Sequence, residues 1–272
     1  MFPWKGQVIE VAVVLVTGAA GTLGNALVFG LAGQRHQVRV LLHRRSADFP
    51  SEVQVARGDV RSPADVAEAV SGADTVIHAA TSPFRRAMAT ELEGTRAVLA
   101  AAGRAGAHVI YPSIVGVDRL GGTYYRAKWQ AEQLVASASH STIQRATQLH
   151  PTLDKMLTRG LFPVTAHLAF QPLDADDLAA RLVSLIEAGP VGRAEDLGGP
   201  EVLPLRAIVA ARRAATSHRT MLIPVPALGP LRGLDAGHHL CPDCPRGRIT
   251  WQQWLSRKSQ SSPDPQARRS GR

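Results

Sequence analysis

The stretch from Val11 to Gly33 constrains this chain more than any other. Val11-Ala12-Val13-Val14-Leu15-Val16 is a continuous apolar run rich in β-branched residues. Such a run reads as a parallel strand covered on both faces. Thr17-Gly18-Ala19-Ala20-Gly21-Thr22-Leu23-Gly24 follows at once, and a helical stretch then runs to Ala32 and closes on Gly33. Three glycines at this spacing, between a strand and a helix, each have a physical task. Gly18 permits the tight turn, Gly21 lets a diphosphate approach the backbone, and Gly24 allows close packing of helix on strand. The helix start at Thr22 and Leu23 offers backbone N–H groups and a dipole that favours an anion.

The same alternation continues downstream. Val38–Leu42, Val53–Val55, Thr75–His78, Val109–Tyr111 and Ser141–Arg145 read as strands. Helices are expected from Ser62-Pro63 through Val70, over Glu91–Ala105 and over Tyr124–Ala136. Strands and helices in turn imply an α/β fold, a doubly wound parallel sheet of Rossmann type. Residues 8–150 then form a dinucleotide-binding domain. Residues 151–255 form an irregular substrate-side lobe, with helices over Asp174–Ala188 and Leu205–Arg213 and a short one carrying Trp251 and Trp254. Residues 256–272 read as a disordered basic tail, because Arg257, Lys258, Arg268, Arg269 and Arg272 face only Asp264 and apolar residues are nearly absent.

Composition excludes several classes. At 45% hydrophobic and 19% charged residues over 272 positions, the chain is globular rather than fibrous or disordered. Two cysteines exclude a disulfide-stapled secreted scaffold. Aromatics, at 5%, are too few for a platform that stacks single-stranded bases. The net charge of +9 is partly held by the tail and reads as solvated surface, with no nucleic-acid partner expected. No apolar segment reaches the length of a membrane span, and Glu10 interrupts Val8–Val16, so a strand is expected there rather than a signal peptide. A cytoplasmic location and no membrane partner are therefore expected.

Four motifs in order carry a resemblance. They are Thr17 with the glycine triplet, Gly58-Asp59-Val60, His78-Ala79-Ala80, and Tyr124-x-x-x-Lys128 with Ser113 upstream. Together they resemble the short-chain dehydrogenase/reductase superfamily. Gly94-Thr95-Arg96, Ser113-Ile-Val-Gly116, Tyr124-Tyr-Arg-Ala-Lys128 and Pro172-Leu-Asp-Ala-Asp-Asp177 resemble its atypical, NmrA-like NAD(P)H-binding branch. The resemblance implies that Asp59 and Val60 meet the adenine and that Ala79 and Ala80 lie beside the adenosine ribose. It implies Tyr124 as acid–base, Lys128 as its partner and ribose ligand, and Ser113 as hydrogen-bond donor to the substrate oxygen. Tyr124 and Lys128, four apart, share one helix face. An ammonium beside a phenol is expected to lower its pKa. Tyr125 is a rival for the phenol. Many members of the superfamily have an asparagine where this chain has Glu91; without it, cofactor binding without efficient turnover stays open.

The cofactor's second phosphate is read at the end of the second strand. His43-Arg44-Arg45 offers cations and no acid before Asp48, which favours NADP over NAD, with NAD possible. Cys241-Pro-Asp-Cys244 after His238-His239 reads as a loop rather than a zinc site or redox dithiol, and no metal is expected. His108, His150 and His167 read as structural or exposed. The function implied is an NADP(H)-dependent oxidoreductase acting on a small carbonyl-type substrate, as monomer or homodimer. The alternatives are a non-catalytic NAD(P)H-binding redox sensor with a protein partner, or a sugar-nucleotide epimerase.

Overall fold

A computed structural model describes residues 11–82, 88–158, 160–216, 219–244 and 247–261. Its centre is a parallel sheet made by β1 (Val13–Thr17), β2 (Gln37–Leu42), β3 (Gln54–Arg57), β4 (Thr75–His78), β5 (His108–Ile114), β6 (Ser141–Ala146) and β9 (Gly192–Arg193). The spatial order is β3-β2-β1-β4-β5-β6-β9, and every pairing is parallel. This is the doubly wound Rossmann-type sheet that the alternating pattern implied. The order reverses between β1 and β4, so a crevice opens there at the strands' carboxyl ends. The two-residue β9 was not legible, because Gly192-Arg193 has no apolar signature and both residues are exposed.

The apolar faces explain the layering. Helix α1 (Thr22–Ala32) and α6 (Ala175–Ala188) cover one face, where Leu27, Val28 and Leu31 meet Leu178, Leu182 and Ile186 over Val14, Val16 and Val40. Helices α2 (Pro63–Val70) and α3 (Gly94–Ala105) cover the other, where Val66, Val70, Val98 and Ala101 lie on Leu15, Val76 and Val109. Helix α4 (Thr123–Ala136) lies beside α3 and buries Ala131 and Val135 against Tyr111 and Ile143. Helix α2 is capped by Ser62, whose hydroxyl oxygen accepts from the Asp65 N–H; α6 is capped by Asp174 in the same way, through Asp176. The N-terminus of α1 has no such side-chain cap and no acidic residue in its first turn.

The lobe is built from α5 (His150–Leu157), β7 (Leu161–Val164), β8 (Ala169–Phe170), β10 (Leu203–Pro204), α7 (Leu205–Ala215), β11 (Met221–Pro224), α8 (Pro230–Asp235) and α9 (Trp251–Ser261). Leu153, Leu157, Phe162, Phe170, Ile208, Trp251 and Leu255 form its own core. The Trp251 indole N–H donates to the Ile208 carbonyl at 3.2 Å. His150 is fully buried between Asp174 and the two stacked rings of Trp251 and Trp254. The boundary expected at Ser256 is corrected, because α9 continues through Ser261. Lys258 reaches Asp154 on α5, and Asp154 also accepts from buried Arg212 at 2.7 Å. The rest of the basic tail lies outside the described residues.

Candidate active site

The glycine turn forms the floor of the crevice. Gly18 has a φ of +72°, and a Cβ there would lie 2.7 Å from the backbone of Ala79 and Ala80. A Cβ on Gly24 would lie 2.2 Å from the Gly18 carbonyl oxygen, so α1 presses directly onto the turn. Thr17 ties the ends of β1 and β4 together. Its hydroxyl oxygen accepts from the Ala80 N–H at 3.2 Å and stands 2.8 Å from His78 Nδ1, whose Nε2 meets Thr95 at 3.2 Å. His78 is buried there, and desolvation holds its pKa down to about 4, so the ring is neutral.

A cleft of about 720 Å³ lies above this floor. Gly18, Gly21, His43, Arg44, Asp59, Val60, Ala79 and Ala80 all line it, together with Arg45, Arg61, Thr81 and Lys155. Thr22, Leu23 and Gly24 stand at the adjoining first turn of α1. The Asp59 carboxylate receives Arg61 Nε at 3.1 Å on both oxygens, and this pairing draws its pKa down to about 2. His43 Nε2 stands 3.7 Å from the same carboxylate. Arg44 and Arg45 are exposed on the rim. A glycine floor, an uncapped helix N-terminus and a cationic rim fit a dinucleotide with its phosphates. Lys155 and Arg61 were not singled out from the sequence; nothing short of the folded α5 brings Lys155 to this cleft.

The polar cluster beside the cleft stands on α4 and on the start of α3. Tyr124, Lys128 and Glu132 follow one another at four-residue intervals, so all three face β5. Lys128 Nζ donates to the Pro112 carbonyl at 2.9 Å, lies 3.5 Å from Glu91 Oε2, and sits 4.1 Å above the Tyr111 ring. Glu91 is fully buried; its Oε2 also accepts from the Tyr111 hydroxyl at 2.9 Å, and its Oε1 accepts from Thr81. Thr81 Oγ1 in turn lies 3.5 Å from the Tyr124 hydroxyl. Glu91 takes this place because the chain makes a single π-helical turn over Ala89–Glu93 before α3. Such turns insert a residue into a helix and re-aim side chains.

Two features depart from the sequence reading. Desolvation raises the Tyr124 phenol to about 12, and Glu91 adds to the rise, whereas Lys128 was expected to lower it. The ammonium is instead spent on Glu91 and Pro112, and burial lowers its own pKa. Ser113 is buried and its hydroxyl donates to Glu132 Oε2 at 2.5 Å. Glu132 also receives Arg145 at 2.6 and 3.0 Å, and Arg145 reaches Asp118 at 2.7 Å. The hydroxyl that meets Tyr124 is therefore that of Thr81. Glu132 was legible in principle, one helical turn beyond Lys128. The Tyr125 ring lies tilted against that of Tyr124, with centroids 5.5 Å apart and planes at 57°.

Away from the cleft, Cys241 and Cys244 are joined by a disulfide, where the sequence suggested a simple loop. The loop is held by Gln171, whose side-chain oxygen accepts from the Cys241 N–H at 2.9 Å. Among the described residues no cluster of three metal-ligating side chains exists, and no helix is long and apolar enough to cross a membrane.

Comparison with known proteins agrees with this fold. Ceramide reductase of Caulobacter vibrioides is 30% identical over 203 residues, which cover 67% of this chain and 63% of that protein. This chain thus matches less than two thirds of that relative's length. A short-chain dehydrogenase/reductase superfamily protein of Agrobacterium tumefaciens with bound NAD superposes with a TM-score of 0.74 at 18% identity, over 96% of this chain and 100% of that one. An NADPH-dependent quinone oxidoreductase of Escherichia coli complexed with NADPH superposes with a TM-score of 0.70 at 17% identity, over 90% and 99%. Residues 18–153, from the first glycine of the turn to α5, match the NAD(P)H-binding family, and the chain belongs to it.

Proposed function

We propose that this protein is an NADP(H)-dependent oxidoreductase that reduces a carbonyl, imine or activated alkene of a small substrate. The observation that carries the reading is the phenol of Tyr124 meeting Thr81, a wall residue of the dinucleotide cleft. NADPH, when bound, supplies the hydride. Every other task falls to side chains of this chain. The first turn of α1, at Thr22 and Leu23, would hold the diphosphate on backbone N–H groups, while the Gly21 N–H stays on the Gly18 carbonyl and Gly18 and Gly21 leave room for the ligand to approach. Arg44 and Arg45 give the rim the charge that a 2′-phosphate needs. Asp59, neutralised by Arg61, leaves no uncompensated anion to repel that phosphate.

Tyr124 gives the proton to the substrate oxygen as charge develops there. Desolvation keeps the phenol protonated until that moment. Lys128, clamped by Glu91 and Pro112, supplies a fixed positive charge beneath the cluster. Ser113 serves the substrate oxygen only by leaving Glu132, so its part is the smaller one. The test is NADPH consumption with menadione and a panel of aldehydes and ketones. Turnover that Tyr124→Phe abolishes supports the reading. NADPH binding with no turnover across the panel points instead to the redox-sensor alternative.

A further inference from the structure

We propose that the outer face of the β7–β11 pair holds the apolar tail of the substrate, and that the substrate is a long-chain aldehyde or ketone. The inference rests on the protein reducing a carbonyl. Among the described residues the two strands pair in parallel and only with each other. Phe162, Val164 and Leu222 turn into the core of the lobe. By alternation, Leu161, Pro163, Met221, Ile223 and Val225 share the opposite face. Leu161 is 58% exposed there, Met221 64% and Ile223 41%. A face that met only water would alternate to polar residues, and this one is apolar throughout. No charged, hydroxyl or amide side chain occurs from Met221 to Leu231. The face therefore has nothing with which to hold the phosphates and hydroxyls of a sugar nucleotide.

The position of the face says which apolar group covers it. The Thr220 hydroxyl donates to the Leu157 carbonyl at 2.8 Å, so β11 starts at the end of α5, the helix that brings Lys155 to the cofactor cleft. Past β11 the chain runs through exposed Leu228 to Pro230, whose Cα lies 3.0 Å from where a Cβ on Gly121 would be. Helix α4 starts two residues after Gly121, at Thr123, and Tyr124 follows. The apolar face thus leads from the wall of the cofactor cleft to the helix that carries the phenol. A protein partner fits it poorly. Two four-residue strands make a face about 13 Å long at ~3.3 Å per residue, far short of the ~800 Å² that each partner of a stable complex covers. Strand addition is also blocked. The Met221 and Val225 N–H groups donate to the Gly160 and Val164 carbonyls, so residues 163, 224 and 226 turn their backbone to the free edges. All three are prolines and offer no N–H to a further strand. A flexible hydrocarbon chain needs neither a broad surface nor a hydrogen-bond ladder.

The test is reduction of straight-chain aldehydes from butanal to decanal with NADPH, beside calorimetric titration of the NADP⁺-loaded protein with butan-1-ol and decan-1-ol. In wild type, kcat/KM is expected to rise about twofold per added methylene, because a face open to water on one side covers roughly half of each group. The double variant Met221→Gln/Ile223→Thr alters only exposed side chains. It is expected to lower the decanal-to-butanal ratio of kcat/KM roughly tenfold, and decan-1-ol affinity by a similar factor. A general loss of folded or active protein does not move that ratio. Aldehydes reduced equally at every length, or a ratio that the double variant leaves intact, overturn the tail site and leave the reductase standing. No reduction of any aldehyde, with decan-1-ol bound by wild type and lost by the double variant, keeps the apolar site and overturns the reductase. Neither reduction nor decan-1-ol binding overturns both. A wild-type dimer in sedimentation velocity that the double variant splits assigns the face to a second copy of the chain and overturns the tail site.

Discussion

At the scale of single residues, two hydroxyls that look equivalent in sequence do different work. Ser113 donates into a buried carboxylate that Arg145 already grips, so Ser113→Ala leaves no charge unpaired. Its cost in stability is expected to be about 1.5–3 kcal/mol, that of one hydrogen bond to a charged group. Its kcat should fall far less than that of Tyr124→Phe, where a loss of roughly 10²–10⁴ is expected with NADPH affinity kept. Steady-state kinetics and calorimetric NADPH titration of the two variants check this. Tyr124 and Lys128 were legible because a four-residue interval on a helix is a geometric statement. The partners of Lys128 and Tyr124 were not, because Glu91 depends on a π-helical turn and Thr81 on the path of a loop. The direction of the Tyr124 shift was misjudged for the same reason. Sequence shows that a lysine is near, but not that a carboxylate has already claimed it.

At the scale of elements, α1 contains two glycines with opposite roles. Gly24 has the Gly18 carbonyl 2.2 Å from where its Cβ would be, while Gly30 has nothing within 4 Å. Gly24→Ala is expected to cost about 1–3 kcal/mol or more by overpacking and to destroy cofactor binding. Gly30→Ala is expected to stabilise by about 0.5–1 kcal/mol, through the lower entropy of the unfolded chain and better helix propensity. Urea denaturation with and without NADPH separates the two. The strand–turn–helix unit was readable because apolar period and glycine spacing are local signals. The lobe was less so. Its short strands β7, β8, β10 and β11 pair only with one another, and α9 continues to Ser261 because Lys258 finds Asp154, which is 104 residues away. No local pattern announces a contact of that span.

At the scale of the whole molecule, the rim of the cleft and the buried histidines give two expectations. NADPH should bind more tightly than NADH at fixed salt, and Arg44→Ala should cost about 1–3 kcal/mol for NADPH and little for NADH. Isothermal titration of both cofactors decides it; equal affinities would remove the choice of NADP. The second concerns pH. His78 and His108 are held neutral by burial, each with a pKa lowered to about 4. Unfolded, both rings take up a proton near pH 6.5, so the unfolded chain binds more protons between these values. Stability is therefore full above about pH 6.5 and falls as the pH drops towards 4, by on the order of 2–3 kcal/mol per ring. Denaturant midpoints measured down this range should show the decline, and His108→Gln should flatten part of it.

The burial of α1 under α6 sets a timetable for synthesis. Arg35, just past α1, pairs with Glu187 near the end of α6, 152 residues later in the chain. At roughly 5–20 residues per second, a ribosome needs on the order of 8–30 s to supply that cover. Through this interval Leu27, Val28 and Leu31 belong to a nascent chain whose dinucleotide turn has been made but whose outer layer has not. Until α6 arrives, the apolar side of α1 has no cover from its own chain, and the Arg35–Glu187 pair forms only when that cover closes.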